Sequence, residues 1–253
     1  MSKTMCDKEL AAHCHDSICT LDRELTKLST SPLDKMKKRA MLIAYWLKTY
    51  VRYFTQEDSF SSESVFRLKR GSIVRVEFGY RAGRELGGRH YAVVLDTNNA
   101  IHRNTVTVIP LGSVKDKQLD DKYCVTLKDG IYGPVKGKLD ALLADGRQSI
   151  DDANKMKAEL ESATPARAQI LRALMRARID NANRVVEKAV EWTSEIDHMS
   201  QGSFALVDQI TTISKMRISQ PLEKTHPLYG VRLTPQDMDK IDEKIHLLFF
   251  SLK

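Results

Sequence analysis

The sequence of 253 residues has little cysteine, glycine or proline, and it has no long hydrophobic run. Four cysteines are too few for a disulfide scaffold of this length, and three lie near the N-terminus, so we expect reduced thiols. The 12 glycines and 7 prolines exclude a collagen-like or low-complexity chain. No apolar run approaches the ~20 residues of a membrane-spanning helix, and the first residues lack a signal peptide's apolar stretch. We therefore expect a globular protein of the cytoplasm with no membrane partner.

Basic residues outnumber acidic ones. The chain has 40 lysines and arginines against 33 aspartates and glutamates, a formal net charge of +7. Such an excess speeds encounters with polyanions through long-range attraction but carries no information about the fold. The net charge permits a nucleic-acid partner. Whether such a partner binds depends on where the basic residues lie.

Both ends of the chain carry helical signals. Residues 31–54 repeat apolar side chains at intervals of three and four, with Ser31 as the predicted cap and Pro32 in the first turn. Near the C-terminus, Thr234 and Pro235 repeat this cap and first-turn pair before a second amphipathic stretch. We expect each helix to bury one face.

A further helical segment covers residues 151–199 and is rich in arginine. Thr164 and Pro165 mark a helix start within it. Three interpretations remain open for its exposed and apolar positions: a solvated face, a surface for RNA or for a partner protein, or a coiled seam with residues 33–54. The seam accounts for most of the apolar positions, which would otherwise be exposed.

Residues 68–127 change to the alternating pattern of β-strands. The candidate strands are 74–78, 91–95, 106–110 and 124–127, with a further one at 203–207. Short strands at this spacing predict a small barrel or a strongly curved sheet.

The predicted fold class is therefore α+β. We divide the chain into a helical extension at 1–64, a β-barrel unit with a C-terminal helix formed by 65–150 and 200–253, and an inserted helical segment at 151–199.

A glycine-rich loop joins the first two strands and brings charged side chains to its end. The glycines are Gly79, Gly83, Gly87 and Gly88, and the charged or titratable residues are Arg84, Glu85, Arg89 and His90. A phosphate-binding loop is excluded, because no Gly-Lys followed by Ser or Thr is present and no helical pattern follows the glycines. The loop therefore needs a different chemical explanation.

Metal-ligand spacing is weak along the whole chain. The one cluster of note is His13, Cys14 and His15 with Cys6 and Cys19, which fits either a zinc site or free thiols on an irregular helix. Elsewhere acids and histidines lack ligand spacing, and we expect neither a metal nor a cofactor.

The loop suits RNA cleavage by the RNA's own 2′-hydroxyl, a reaction that needs no metal. One group removes the hydroxyl proton, another protonates the leaving 5′-oxygen, and cations stabilise the charge that develops on phosphorus. His90 and Glu85 are the candidates for proton transfer. Arg84 and Arg89 are the candidates for bidentate phosphate binding.

Four segments together resemble the MazF/PemK toxins of bacterial toxin-antitoxin systems. They are G-x-I-V-x-V-x-F-G from Gly71, G-x-E-x-x-G-x-H from Gly83, V-I-P-L-x-S from Val108, and SFALVDQITTISKMRI at 203–218. The resemblance implies an SH3-like curved barrel that forms a homodimer, is inhibited by a cognate antitoxin, and cuts single-stranded RNA at short sequences without a cofactor, leaving a cyclic phosphate.

The resemblance also assigns residues. Glu85 matches the acidic loop residue of the family, and His90 occupies the position of the catalytic arginine. Gly112 occupies the position of the catalytic threonine, so Ser113 is the nearest hydroxyl. RNA is expected to cross a basic groove of the dimer between loops 79–90 and 112–122. In the tail motif, we assign RNA contacts to Gln209 and Lys215.

Aromatic and basic residues also alternate along 45–54. They fit stacking on unpaired bases, but their helical spacing favours packing in a core.

Two other classes of function stay open. The same barrel can serve as a non-catalytic module that binds a nucleic acid or a protein, which the missing threonine favours. It can also belong to a toxin that inhibits a protein target such as a gyrase.

Overall fold

A computed structural model describes residues 5–113, 121–127, 130–197 and 202–250. Within these residues the fold is α+β, as predicted, with five α-helices and seven strands in an antiparallel sheet. The chain divides into two compact units. The first consists of Met1–Phe60 and Phe78–Gly88, and the second of Ser61–Glu77 and Arg89–Lys253.

Two helices make up most of the first unit: α1, Asp7–Ser29, and α2, Asp34–Gln56. The helix predicted over 31–54 is confirmed, but its predicted start is not. Ser31 Oγ accepts a hydrogen bond from Leu33 N at 3.2 Å, and α2 begins after Leu33 without a side-chain cap. No residue of α1 is buried, and in α2 only Ala40 is.

The remaining part of the first unit is the loop Phe78–Gly88, which begins and ends as a narrow hairpin. Phe78 N donates to Gly88 O at 2.8 Å, and Gly88 N donates to Gly79 O at 2.7 Å. Gly79 has φ +76°, and a Cβ atom there would lie 2.6 Å from the ring of Trp46 on α2. Arg39, also on α2, donates from Nε to the hydroxyl of Tyr80 at 2.6 Å. The second helix therefore packs directly on the loop.

The second unit contains the sheet. Its strands are β1 Ile73–Glu77, β2 Arg89–Val94, β3 Thr105–Ser113, β4 Cys124–Leu127, β5 Ser203–Leu206, β6 Thr211–Ser214 and β7 Ile218–Gln220. The strand order is β4-β5-β3-β2-β1-β7, and β6 also pairs with β3. All five predicted strands are confirmed, whereas β6 and β7 were not predicted. Among the described residues no pairing joins β4 to β7, so the sheet is open and the SH3-like barrel is not confirmed.

Three helices complete this unit: α3 Tyr132–Leu160, α4 Pro165–Asp197 and α5 Pro235–Phe249. The inserted helical region therefore begins near residue 132 rather than 151. The predicted caps of α4 and α5 are present: Thr164 Oγ1 accepts from Arg167 N at 3.5 Å, and Thr234 Oγ1 from Asp237 N at 3.2 Å.

α3 and α4 pack against each other as an antiparallel pair. A Cβ atom at Gly146 would lie 2.7 Å from Cγ1 of Val185, and Asn181 Nδ2 donates to Ser149 Oγ at 3.0 Å. The apolar seam of α4 is thus accounted for by α3 rather than by residues 33–54.

The main core lies between one face of the sheet and the helices of the second unit. Ile73, Val93 and Ile109 contribute from the central strands, Trp192 from α4 and Ile241 from α5. Burial of these side chains provides the main stabilisation of the unit. In the described part of the chain, no helix is long and apolar enough to cross a membrane.

Candidate functional site

Charged and titratable side chains meet where β1 ends and β2 begins. The antiparallel register pairs Val76 with His90 and Glu77 with Arg89. Directly opposite residues project to the same face of a sheet, and successive residues project to opposite faces. Arg89 therefore shares a face with Glu77, and His90 lies on the other face.

Two guanidinium groups contact Glu77. Arg89 Nε lies 3.4 Å from the carboxylate oxygen Oε2, and Arg217, which immediately precedes β7, donates from Nε to the Glu77 carbonyl at 2.9 Å. The Arg89 side chain is 62% exposed, whereas that of Glu77 is 17% exposed. Because Arg89 is largely solvated, this ion pair adds little to stability. The arrangement holds two arginines at one corner of the sheet, one on the carboxylate of Glu77 and the other on its main-chain carbonyl.

His90 is half-buried on the second face of the sheet. Its cross-strand partner Val76 is fully buried, and so is Ala92, two residues further along the same face. The imidazole thus lies at the open end of an apolar strip. The main-chain connection to Arg89 keeps it at the same corner although the two side chains leave the sheet in opposite directions.

Ser113 lies at the end of β3, where β3 pairs with β5 through Ser203. Val93 pairs with Ile109, and Ser113 follows Ile109 by four residues, so Ser113 belongs to the face of Arg89 and not to that of His90. The register therefore does not bring the predicted hydroxyl and imidazole together on one face.

Gly112 is covered by an aromatic ring. Phe204 is its cross-strand partner, and a Cβ atom at position 112 would lie 2.3 Å from Cζ of that ring. The position that the resemblance assigns to a catalytic threonine therefore has no room for a side chain.

Arg84 and Glu85 belong to the first unit, in the loop Phe78–Gly88. Both are exposed. Glu85 Oε2 lies 3.8 Å from Arg81 NH1, and the Arg81 guanidinium lies 5.4 Å from the centre of the Phe78 ring. The roles assigned to Arg84 and Glu85 stay predictions.

Lys215 requires a correction. Its side chain is fully buried, and Nζ donates to Ala100 O at 3.0 Å and Ile101 O at 3.2 Å. Burial lowers the pKa of this ammonium, an effect partly opposed by the nearby Asp96. A buried ammonium bonded to two carbonyls contradicts the predicted RNA contact, so Lys215 supports the loop between β2 and β3 instead.

Gln209 lies at the end of a short 3-10 turn and is half-buried. Its RNA contact stays a prediction. Of the second predicted loop, 112–122, residues 114–120 lie outside the described residues.

The N-terminal cysteine and histidine cluster does not form a metal site in the structure. His15 Nε2 lies 3.5 Å from Cys19 Sγ on α1, and both residues are exposed. Within the described residues, no three His, Cys, Asp or Glu side chains are grouped so that they could hold a metal ion.

Glu77 and Arg217 received no functional role from the sequence. Glu77 alternates with buried valines in β1 and resembles an ordinary solvent-facing strand residue. Arg217 follows Lys215 by two residues in the tail motif. Its role depends on its contact with Glu77, which exists because β7 pairs with β1, and no local sequence pattern reveals that pairing.

A comparison with protein families matches residues 69–179 to the model of the PemK-like, MazF-like toxins of type II toxin-antitoxin systems. The match covers β1 to β4, α3 and the first half of α4, whereas the tail motif at 203–218 lies outside it. No curated protein matches the chain. The resemblance to the MazF/PemK toxins that the sequence predicts is confirmed over residues 69–179.

Proposed function

We propose that this protein is a toxin endoribonuclease that cleaves single-stranded RNA at short sequences without a metal ion. The family supports a toxin with an antitoxin partner. The observation that carries the catalytic proposal is the convergence of Arg89 and Arg217 on Glu77, with His90 following Arg89 in the chain. The proposal includes a homodimer as the active form.

The reaction assigned to this corner is an intramolecular transesterification, in which the phosphoryl group moves from the 5′-oxygen of the next nucleotide to the neighbouring 2′-oxygen of the same RNA strand. The 2′-oxygen forms a bond to phosphorus as its proton leaves, and the bond to the 5′-oxygen breaks as that oxygen takes up a proton. His90 transfers one of these protons, and solvent water transfers the other. Arg89 binds the phosphate, and its planar guanidinium matches two phosphate oxygens.

Glu77 positions Arg89 in this scheme. Its carboxylate contacts Arg89, while its carbonyl receives the hydrogen bond of Arg217. Arg217 adds a second positive charge near the phosphate, where it stabilises the additional negative charge of the transition state. Catalytic roles for Glu85 and Ser113 stay predictions, to be tested by Glu85→Gln and Ser113→Ala.

The test is cleavage of end-labelled single-stranded RNA by the purified full-length protein in excess EDTA. We expect cleavage with a 2′,3′-cyclic phosphate product, and a loss of about 100-fold or more in His90→Ala, which is the usual contribution of a proton-transfer group. Arg89→Ala should lose about tenfold or more.

Matched controls lie beyond the other end of β2. His102 and Arg103 are exposed in the connection between β2 and β3, so His102→Ala and Arg103→Ala should cleave as the wild type does. Wild-type rates in His90→Ala would exclude His90 as a catalyst. Cleavage that EDTA abolishes would exclude the metal-independent reaction.

One observation favours a second function, a non-catalytic module that binds RNA or a protein. Phe204 fills the space at Gly112, where the resemblance places a catalytic hydroxyl. RNA binding without cleavage across many sequences would establish this function in place of the nuclease.

A further inference from the structure

One face of α2 is both basic and aromatic, and it is exposed. Lys38, Met41, Tyr45, Lys48 and Arg52 follow one another at intervals of three and four residues, which places them on the same side of the helix. All five are exposed, and Tyr45 is 65% exposed. We call this set the basic face of α2. It extends over about 21 Å, given the rise of 1.5 Å per residue.

A second side of α2 makes contacts within the first unit, and a third side, with Tyr50, Val51 and Phe54, is apolar and exposed. Ala40 is buried, Trp46 packs on Gly79, and Arg39 bonds to Tyr80. The sequence favoured core packing for the aromatic residues of α2. That interpretation fits Trp46 but not Tyr45, whose ring is mostly solvated.

The charge of α2 is strongly one-sided. The helix contains six lysines and arginines and one acid, Asp34, a net charge of +5. α1, of the same length, contains five acids and three basic residues, a net charge of −2. The positive charge therefore belongs to α2 and not to the helical pair as a whole.

Helix stability does not explain these cations. Lys48 and Arg52 are like charges four residues apart, an arrangement that destabilises a helix. Among the ion pairs of the described residues, none includes Lys38, Lys48 or Arg52, whereas Lys27 on α1 pairs with Glu24 at 2.8 Å. The Arg52 guanidinium lies 5.7 Å from the centre of the Tyr53 ring, a contact that does not neutralise its charge. The three cations therefore keep their positive charge for an anionic partner.

We propose that the basic face of α2 binds the single-stranded RNA substrate outside the site of cleavage. Lys38, Lys48 and Arg52 contact successive phosphates, and an unpaired base stacks on Tyr45. Proteins that bind single strands combine a cationic track with aromatic rings in this way. The inference rests on the proposed function for the choice of RNA as the polyanion.

The pattern fits RNA better than an acidic helix of a partner protein. A partner helix requires a continuous apolar stripe at i, i+3, i+4 and i+7. On α2 that stripe is formed by Leu47, Tyr50, Val51 and Phe54, on a different side of the helix. The basic face itself has apolar side chains only at Met41 and Tyr45, with lysine or arginine at both ends.

The test measures binding to a mixed-sequence single-stranded RNA with 2′-O-methyl riboses, which lacks the attacking hydroxyl and stays intact. In the full-length protein, the triple variant Lys38→Glu, Lys48→Glu and Arg52→Glu should bind at least tenfold more weakly. The slope of log K against log salt should become shallower by about 2, because each phosphate contact on a single strand contributes about 0.7. Tyr45→Ala should lose affinity about tenfold, and Tyr45→Phe should keep it, because stacking needs only the ring.

The matched control reverses three exposed arginines on α4: Arg172, Arg176 and Arg184. It changes the total charge by the same amount and should leave the affinity and the salt slope close to those of the wild type. Circular dichroism of each variant checks that the helices are retained.

Wild-type affinity and salt slope in the α2 triple variant would overturn the proposal. A change of oligomeric state, or loss of antitoxin binding, with unchanged RNA affinity would also overturn it and would identify the face as a protein interface. The proposed nuclease function can fail independently of this inference. A protein that binds the methylated RNA through α2 but never cleaves unmodified RNA contradicts the proposed function and leaves this inference intact.

Discussion

The ring of Phe204 lies directly over the α-carbon of Gly112, its partner on the neighbouring strand. A Cβ atom at position 112 would be 2.3 to 2.9 Å from three atoms of the ring. An aromatic residue that covers a cross-strand glycine in this way fills the space that the missing side chain leaves. Glycine at position 112 is therefore part of the packing of β3 on β5, and the threonine that the resemblance places there does not fit without a change in this packing.

Gly112→Thr should consequently destabilise the protein instead of restoring a catalytic hydroxyl. Overpacking of a filled site costs about 1 to 3 kcal/mol of unfolding free energy, and the measurement is urea unfolding of wild type and variant. Gly112→Thr combined with Phe204→Ala should lose less than the sum of the two single changes, because the new side chain occupies part of the vacated space. A Gly112→Thr variant as stable as the wild type would contradict this packing.

Much of the fold was predictable because its signals are local. Alternation identified β1 to β5, and the Thr-Pro pairs at 164 and 234 marked the starts of α4 and α5. β7 has three residues, too few for a repeating pattern, and β6, Thr-Thr-Ile-Ser, contains a single apolar side chain. The start of α3 contains Gly133 and Gly137, whose helix propensity is low, and the packing against α4 overrides it.

The candidate site was less predictable, because it depends on strand alternation and on long-range contacts. Adjacency in sequence placed Arg89 and His90 at the same end of the strand, but it did not reveal that the strand directs their side chains to opposite faces. Lysines are seldom fully buried, so the environment of Lys215 was not expected. The packing of Trp46 on Gly79 joins residues 33 positions apart in the chain, and no periodic pattern indicates it.

Two glycines of α3 should respond in opposite ways to alanine. A Cβ atom added at Gly137 would have no atom within 4 Å, whereas one added at Gly146 would lie 2.7 Å from Val185 Cγ1. Alanine in a helix interior gains about 0.5 to 1 kcal/mol over glycine. Gly137→Ala should therefore stabilise the protein, and Gly146→Ala should destabilise it by roughly 1 kcal/mol, because overpacking costs about 1 to 3 kcal/mol. Thermal and urea unfolding measure both.

Relief of the clash provides the control for this pair. In the double variant Gly146→Ala with Val185→Ala, the 2.7 Å contact with Cγ1 is absent and the nearest remaining atom is Cβ of residue 185 at 3.2 Å. Adding Gly146→Ala to Val185→Ala should therefore cost less than adding it to the wild type. Equal effects of Gly146→Ala and Gly137→Ala would show that α3 and α4 do not pack as described.

The contribution of Lys215 to stability should increase with pH in the alkaline range. Burial lowers the pKa of Lys215 in the folded protein, and in the unfolded chain the pKa returns to about 10.4. Between these two values the unfolded state binds more protons than the folded state, so the free energy of unfolding rises with pH. At pH values below the pKa of Lys215 in the folded protein, burial of the charged ammonium lowers the free energy of unfolding by its full amount.

Lys215→Met removes this titration and the two hydrogen bonds to Ala100 and Ile101. We expect it to be less stable than the wild type at neutral pH, by about 1 to 3 kcal/mol for the unsatisfied carbonyls. The difference should widen as the pH is raised towards 10. A difference that is constant or narrows over this range, measured by urea unfolding, would show that the ammonium is not buried.

The order of the loop Phe78–Gly88 should depend on the glycine at position 79. Its φ of +76° is costly for any other residue, by about 1 to 2 kcal/mol, and the ring of Trp46 leaves no space for a Cβ atom. Gly79→Ala should therefore open the hairpin, and hydrogen exchange at the amides of Phe78 and Gly88 should become faster. Gly79→Ala with Trp46→Ala removes the steric contact but not the backbone strain, so the protection of these amides from exchange should stay below that of Trp46→Ala alone.

Gly83→Ala is the matched control: its φ of +61° carries a comparable backbone cost, yet no atom lies within 4 Å of the new Cβ. If both single variants exchange equally fast, backbone conformation alone accounts for the effect and the packing of Trp46 on the loop contributes nothing to its order.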